Sequence, residues 1–206
     1  MEEKQQWMTW AVELQALAQA GLKYGHDKYD FERYERIREI SAEITARHTG
    51  LPIAKVKDLF CNEHGYQTPK LDTRAAIFQG EKILLVQESD GRWSLPGGWV
   101  DVDISVGENA VKEVREEAGL DVTVQRVIAL QDRNRRNRPR SIYGICKVFV
   151  LCSLQGGSFR PNLETLGSGY FPLDGLPRLA TEKTNEEQIK MCFDAYHDEH
   201  WQTLID

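Results

Sequence analysis

Residues 95–120 read LPGGWVDVDISVGENAVKEVREEAGL. Gly97 and Gly98 let the backbone turn tightly and present its carbonyls to a ligand. Ser105 followed three residues later by Glu108 forms a capping-box pattern. Gly119 suits the position just past a helix end. The spacing therefore predicts a helix from about Val106 to Ala118, with Ala110, Val111, Val114 and Ala118 as its apolar side. Glu108 is accounted for as the cap partner; Glu113, Glu116 and Glu117 are not. Like charges three and four residues apart repel by a few tenths of a kcal/mol. The helix dipole disfavours anions in the last turn, and Lys112 precedes Glu116 in the poorer order for an ion pair. A divalent cation would remove this conflict, because Mg²⁺ takes hard carboxylate oxygens and is often completed by substrate phosphates. The plain alternative is a solvated acidic face. The glycines upstream, and the tendency of local violations to gather at functional sites, favour the cation.

Outward from this stretch, the pattern is strand-like. TRAAIFQ and KILLVQE flank Gly80 and read as a hairpin. DVTVQRVIALQD and SIYGICKVFVLCSL are two further strands rich in β-branched residues, and GGSFRP and GYFPL are shorter ones. A last helix is expected from about Asn185 to His200, with Ile189, Cys192, Phe193 and Tyr196 facing inward. Helices and strands mixed without a regular βαβ rhythm predict an α+β chain, an α/β/α sandwich around a mixed sheet.

Before residue 66 the pattern is helical. Trp7, Trp10, Ala11, Leu14, Leu17, Ala18 and Leu22 recur at three- and four-residue steps, and Gly21 and Gly25 then interrupt. A second run starts near Asp30 with Phe31, Tyr34, Ile37, Ile40 and Ile44 on one side, and stops by Gly50. Pro52 opens a third, shorter helix through Phe60. The tryptophans and tyrosines read as core or dimer packing. EHGYQTPKLD reads as a linker. The chain thus divides into a small all-helical domain, 1–66, and a domain of mixed strands and helices, 67–206.

A length of 206 residues with 41% hydrophobic content supports a core for one domain and a small companion. The net charge of −6 argues against a general nucleic-acid coat and calls for metal ions or a local basic patch if the substrate is anionic. Cys61, Cys146, Cys152 and Cys192 form no C-x-x-C pair or zinc spacing, and read as buried thiols of a reducing compartment. There is no signal-peptide pattern and no run of about 18 apolar residues. A cytoplasmic protein without membrane contact is the expectation.

The stretch 98–120 resembles the Nudix box, G-x5-E-x7-R-E-U-x-E-E-x-G-U, with U a bulky aliphatic residue. Gly98, Glu113, Val114, Glu116, Glu117, Gly119 and Leu120 match without a gap, and WSLPGG upstream is similar to the family as well. Ile104 stands where the family has its first glutamate, and Lys112 where it has arginine. Lysine keeps the charge but loses the planar fork. With the helical N-terminal segment and the ending ETLGSGYFPLDGLPRLATEKTNEEQI, nearly the whole chain is similar to a bacterial subgroup of Nudix hydrolases, described as ADP-ribose or CDP-choline pyrophosphatases. The resemblance implies Mg²⁺- or Mn²⁺-dependent hydrolysis of the pyrophosphate bond of a nucleoside diphosphate linked to another moiety, and a homodimer. It gives Glu113, Glu116, Glu117 and the Gly97 carbonyl as metal ligands. Glu116 and Glu164 become the catalytic acids, Glu164 as a base or a further ligand, with Glu182, Glu186 and Glu187 as the runner-up source of a base.

QDRNRRNRPR carries five arginines, Arg133, Arg135, Arg136, Arg138 and Arg140, in what reads as a loop between strands. Guanidinium groups suit phosphates. Arg133, favoured by the resemblance, is expected to bind substrate, together with Arg135 and with Arg74 at a strand start. An ordinary basic loop is the alternative. RNA is a second partner such a loop admits, so an RNA-end nuclease or decapping enzyme is the first competing reading. The second is a catalytically weak nucleotide sensor, motivated by Ile104 and Lys112.

Overall fold

The structure is a computed structural model that describes residues 3–61, 65–161 and 165–206. Contacts divide the chain into two compact units, Met1–Pro69 and Lys70–Asp206.

In the first unit, α1 (Glu3–Tyr24) and α2 (Lys28–Thr49) form a helical hairpin, followed by α3 (Ile53–Phe60). Asp27 caps α2 by accepting from the Tyr29 N–H at 2.7 Å. Gly50 ends it in the left-handed region at φ 72°. Two expectations fail here. Gly21 does not interrupt α1; it lies within it, because a β-carbon there would fall 2.3 Å from the Tyr34 ring. The helix contact is made by small and polar residues, Ala11, Gln15, Ala18, Ser41, Ala42 and Thr45, with the Ser41 hydroxyl donating to the Ala11 carbonyl at 2.7 Å. Trp10 and Leu17, read as part of the apolar face, are instead 55% and 57% exposed. Close backbone approach selects the small residues and turns the bulky ones outward.

In the second unit, β1 (Lys70–Gln79) and β2 (Lys82–Glu88) form the hairpin around Gly80, with Gln79 opposite Lys82. Next come β3 (Trp93–Ser94), α4 (Val106–Ala118), β4 (Leu120–Asp132), a single helical turn α5 (Arg133–Arg136), β5 (Ile145–Gly157), β6 (Thr165–Phe171), α6 (Glu186–His197) and β7 (Leu204–Ile205). The mixed sheet runs β3-β2-β1-β5-β4-β7, with β6 also on β2; β1 and β5 are parallel, and β4 and β5 antiparallel. Side chains alternate between faces. Ala75, Ile77, Val148 and Val150 pack under α4 with Ala110, Val114 and Ala118. Ala76, Phe149 and Ala129 pack against Ile189, Cys192, Phe193 and Ala195 of α6. The result is an α/β/α sandwich. Two strand assignments are corrected. Ser141–Gly144 lies outside β5, and Ser158–Pro161 of GGSFRP lies outside any strand. All four cysteines are free thiols. Among the described residues, no helix is long and apolar enough to cross a membrane.

Candidate active site

The capping box fixes where α4 starts: Glu108 N–H donates to the Ser105 hydroxyl at 3.2 Å, and Ser105 N–H to the Glu108 carboxylate at 2.8 Å. Gly119 ends it at φ 67°, and a β-carbon there would lie 2.4 Å from the Ser158 carbonyl. Asn109, wholly buried, donates to the Thr73 hydroxyl at 2.8 Å and to the Gly98 carbonyl at 3.4 Å. It thereby ties the helix to β1 and to the glycine loop. That loop runs beside β1, whose Thr73 and Ala75 N–H groups donate to the Gly98 and Pro96 carbonyls. Gly97 takes φ 145°, and a β-carbon on it would meet the Thr73 carbonyl at 1.9 Å. Only glycine fits so close an approach.

This approach brings two of the predicted carboxylates onto the loop. Glu117 accepts the Gly97 N–H at 2.8 Å. Glu113 lies so close to Gly98 that a β-carbon there would sit 2.8 Å from its Oε2. Burial pushes the Glu117 carboxyl up to about 7, against the pull of Arg74 and the Gly97 N–H, and the neighbouring Glu113 charge adds to the rise. Glu116 stands apart, its side chain 55% exposed against 12% for Glu113. Lys112 bonds Asp101 at 2.8 Å and lies 3.6 and 3.9 Å from Glu113 and Glu116, so one ammonium serves three acids. Among the described residues no three His, Cys, Asp or Glu side chains converge tightly enough to enclose a cation. The donor chemistry nevertheless fits one: adjacent carboxylates, one of them largely buried against the glycine loop, supply hard oxygen ligands.

The arginines separate. Arg74 is buried, giving Nε and Nη2 to both oxygens of Asp72 (3.0 and 2.8 Å) and Nη1 to the Leu95 carbonyl. Its guanidinium is therefore committed beneath the loop. Arg133 opens α5, so part of the expected loop is a helical turn. Burial lowers its pKa, and its Nη1 donates to the Pro139 carbonyl. Arg135 is exposed, 3.7 Å from Asp132. Arg136 pairs with Asp206, and Arg138 donates to the Asn134 and Asn137 carbonyls. Glu182 is gripped twice by Arg92, at 2.7 and 2.5 Å, while Glu186 and Glu187 lie exposed in the first turn of α6. Glu164 lies outside the described residues.

The sequence reading did not include Asn109, Asp72 or Lys147. Asn109 carried a usable signal, a polar residue next to Ala110 on an apolar helix side. Asp72 and Arg74, two apart on one strand face, carried another. Lys147 carried none: it becomes neighbour to Asp72 only through β1–β5 pairing. It is 2% exposed, donates to the Lys183 carbonyl, and is pushed down to about 7 by burial and then by Arg74.

Residues 5–60 match the family model described as the UDP-X-like, N-terminal oligomerisation domain, and residues 68–192 match that of the NUDIX domain. YjhB of Bacillus subtilis, provisionally named an ADP-ribose pyrophosphatase, is 39% identical over 97% of both chains. A crystal structure of UDP-X diphosphatase is 32% identical over 98% of both chains, with a TM-score of 0.64. The crystal structure of an ADP-ribose pyrophosphatase from Streptococcus suis is 60% identical over 68% of this chain and all of its own, also at 0.64. With its glycine loop, its acidic helix and a sandwich of this topology, the chain belongs to the Nudix hydrolase family, as a Nudix-type pyrophosphatase carrying the family's N-terminal domain.

Proposed function

We propose that this protein hydrolyses the pyrophosphate bond of a nucleoside diphosphate linked to a second moiety, of the ADP-ribose or UDP-linked type, with CDP-choline as a further candidate, and uses Mg²⁺ or Mn²⁺. The observation that carries this reading is the seating of Glu113 and Glu117 against the backbone of Gly98 and Gly97. The names of the relatives support the choice of substrate class.

Glu113, Glu116, Glu117 and the Gly97 carbonyl are the residues that would hold the cation. Glu117 reads the loop through the Gly97 N–H, so the loop and the acid are set in place together. A divalent cation, when bound, neutralises phosphate charge and activates water. Glu116, the most exposed of the three, is assigned to face substrate, and Glu164 is retained from the sequence as a base or a further metal ligand. Arg74 is assigned a positioning role, because its donors already hold Asp72 and the Leu95 carbonyl. Arg135 is the exposed member of the arginine pair proposed to meet phosphate, and Arg133 shapes the turn that presents it. A homodimer assembled through the first unit is consistent with the description of that domain.

The test is a panel of ADP-ribose, UDP-sugars, CDP-choline and capped RNA, each with Mg²⁺, Mn²⁺ or chelator. Nucleoside monophosphate should be released from a member of the first three, and only with metal. Glu117→Gln should lower turnover about a hundredfold or more. Equal release by wild type and variant on every substrate would remove the enzymatic reading. Turnover of RNA alone would replace it with the RNA-end one.

A further inference from the structure

One aromatic ring beside the acidic loop has no place in the machinery above. Trp99 follows Gly98 directly. Its backbone is fixed, because Trp99 bridges to Asp72 and the next residue's N–H donates to the Leu71 carbonyl at 3.0 Å. The residue nevertheless remains 51% exposed. The other two tryptophans of this unit behave differently: Trp93 and Trp201 pack against the α6-side core, and Trp201 donates its indole N–H to the Ile128 carbonyl. A single exposed apolar residue needs no explanation by itself. Here, however, Tyr143 meets the Trp99 ring edge-on, with centroids 6.0 Å apart and planes at 76°. The Lys70 ammonium lies 5.6 Å from the ring centroid. A strand-bound indole, a second ring at its edge and a cation near its centroid form a shelf next in sequence to Gly98, the glycine against which Glu113 lies. That combination suits a flat π-system attached to phosphate, since the ring offers stacking and the ammonium offers charge.

We propose that Trp99, with Tyr143 at its edge and Lys70 beside it, is the stacking platform for the nucleobase of the substrate. This rests on the nucleoside-diphosphate reading above and adds to it that the base lies on the β1 side of the glycine loop. Stacking tolerates every base, so the platform supplies affinity for a nucleotide over a sugar phosphate rather than choice among bases.

The test is binding of AMP, UMP and CMP to the full chain by calorimetry, with ribose 5-phosphate and phosphocholine as ligands that lack a base. Trp99→Leu removes the π-face and keeps an apolar side chain; Trp99→Phe restores a ring. The expected result is binding of the nucleoside monophosphates about tenfold weaker in Trp99→Leu, substantially recovered in Trp99→Phe, with ribose 5-phosphate unchanged. With whichever substrate turns over, Trp99→Leu should raise KM far more than it lowers kcat. Unchanged nucleotide binding overturns the proposal, as does equal weakening of ribose 5-phosphate, which would place the effect in the loop backbone. Loss of phosphocholine binding alone overturns it too, by placing the ring against the second moiety. Wild-type turnover is scored separately: its absence defeats the pyrophosphatase reading, whereas turnover with nucleotide binding indifferent to Trp99 defeats only the shelf.

Discussion

Gly97 holds its position because nothing with a β-carbon fits there: its φ is 145° and the Thr73 carbonyl would be 1.9 Å away. Gly97→Ala should cost about 3 kcal/mol or more, read as a shift in urea midpoint. Glu117, packed beside it, carries a proton up to about pH 7 in the folded chain and only to 4.5 otherwise. Between those values the folded state binds more protons, so this group's contribution to stability falls as pH rises and is lost just above 7. In chelator, Glu117→Gln should therefore gain on wild type by about 3 kcal/mol between pH 4.5 and 8. Parallel urea curves for the two proteins across that range would show that burial does not govern this carboxyl. Lys147 titrates the other way. Its folded pKa of about 7 lies below the ordinary 10.5, chiefly through burial, with Arg74, Arg133 and Lys183 also disfavouring its charge and Asp72 favouring it. There the unfolded chain binds the extra proton, so stability is lost as pH falls from 10.5 towards 7. Lys147→Met, which does not titrate, should gain about 3 kcal/mol on wild type between pH 9.5 and 6, measured by the same unfolding series.

At the scale of elements, α4 was the most legible part of the chain. Its ends are set by Ser105, Glu108 and Gly119 through contacts within a few residues, and these occur as the pattern implies. Ser105→Ala should lower stability by about 1 kcal/mol in thermal unfolding, and Gly119→Ala by more, because it adds a left-handed φ and a clash with Ser158. The α1–α2 hairpin was less legible. Periodicity located the helices, but it ranked Trp10 and Leu17 as inward residues by hydrophobicity, whereas the buried positions of α1 include the small or polar Ala11, Gln15, Ala18 and Gln19. The five arginines show the same limit. Their clustering in sequence suggested one shared role, yet Arg133 is buried, Arg136 is tied to Asp206 and Arg138 folds onto its own turn.

At the scale of the whole molecule, Trp10, Leu17 and Tyr24 lie seven residues apart on α1, and each is more than half exposed. Together with the oligomerisation domain that matches this segment, the stripe predicts a dimer at micromolar concentration in sedimentation. Trp10→Glu with Leu17→Glu should shift it to monomer; a persistent dimer would place the interface elsewhere. The sequence alone determined what depends on near neighbours: the hairpin at Gly80, the limits of α4, and the spacing that places Glu113 and Glu117 on one helix side. Tertiary structure decided what depends on strands far apart in the chain. Pairing of β1 with β5 puts Lys147 beside Asp72, and the glycine loop laid along β1 gives Glu117 its backbone partner and leaves Trp99 open. Hydrophobic periodicity records which side of an element is covered, but burial, charge and exposure at the site arise from which elements cover it, and that is set by long-range packing.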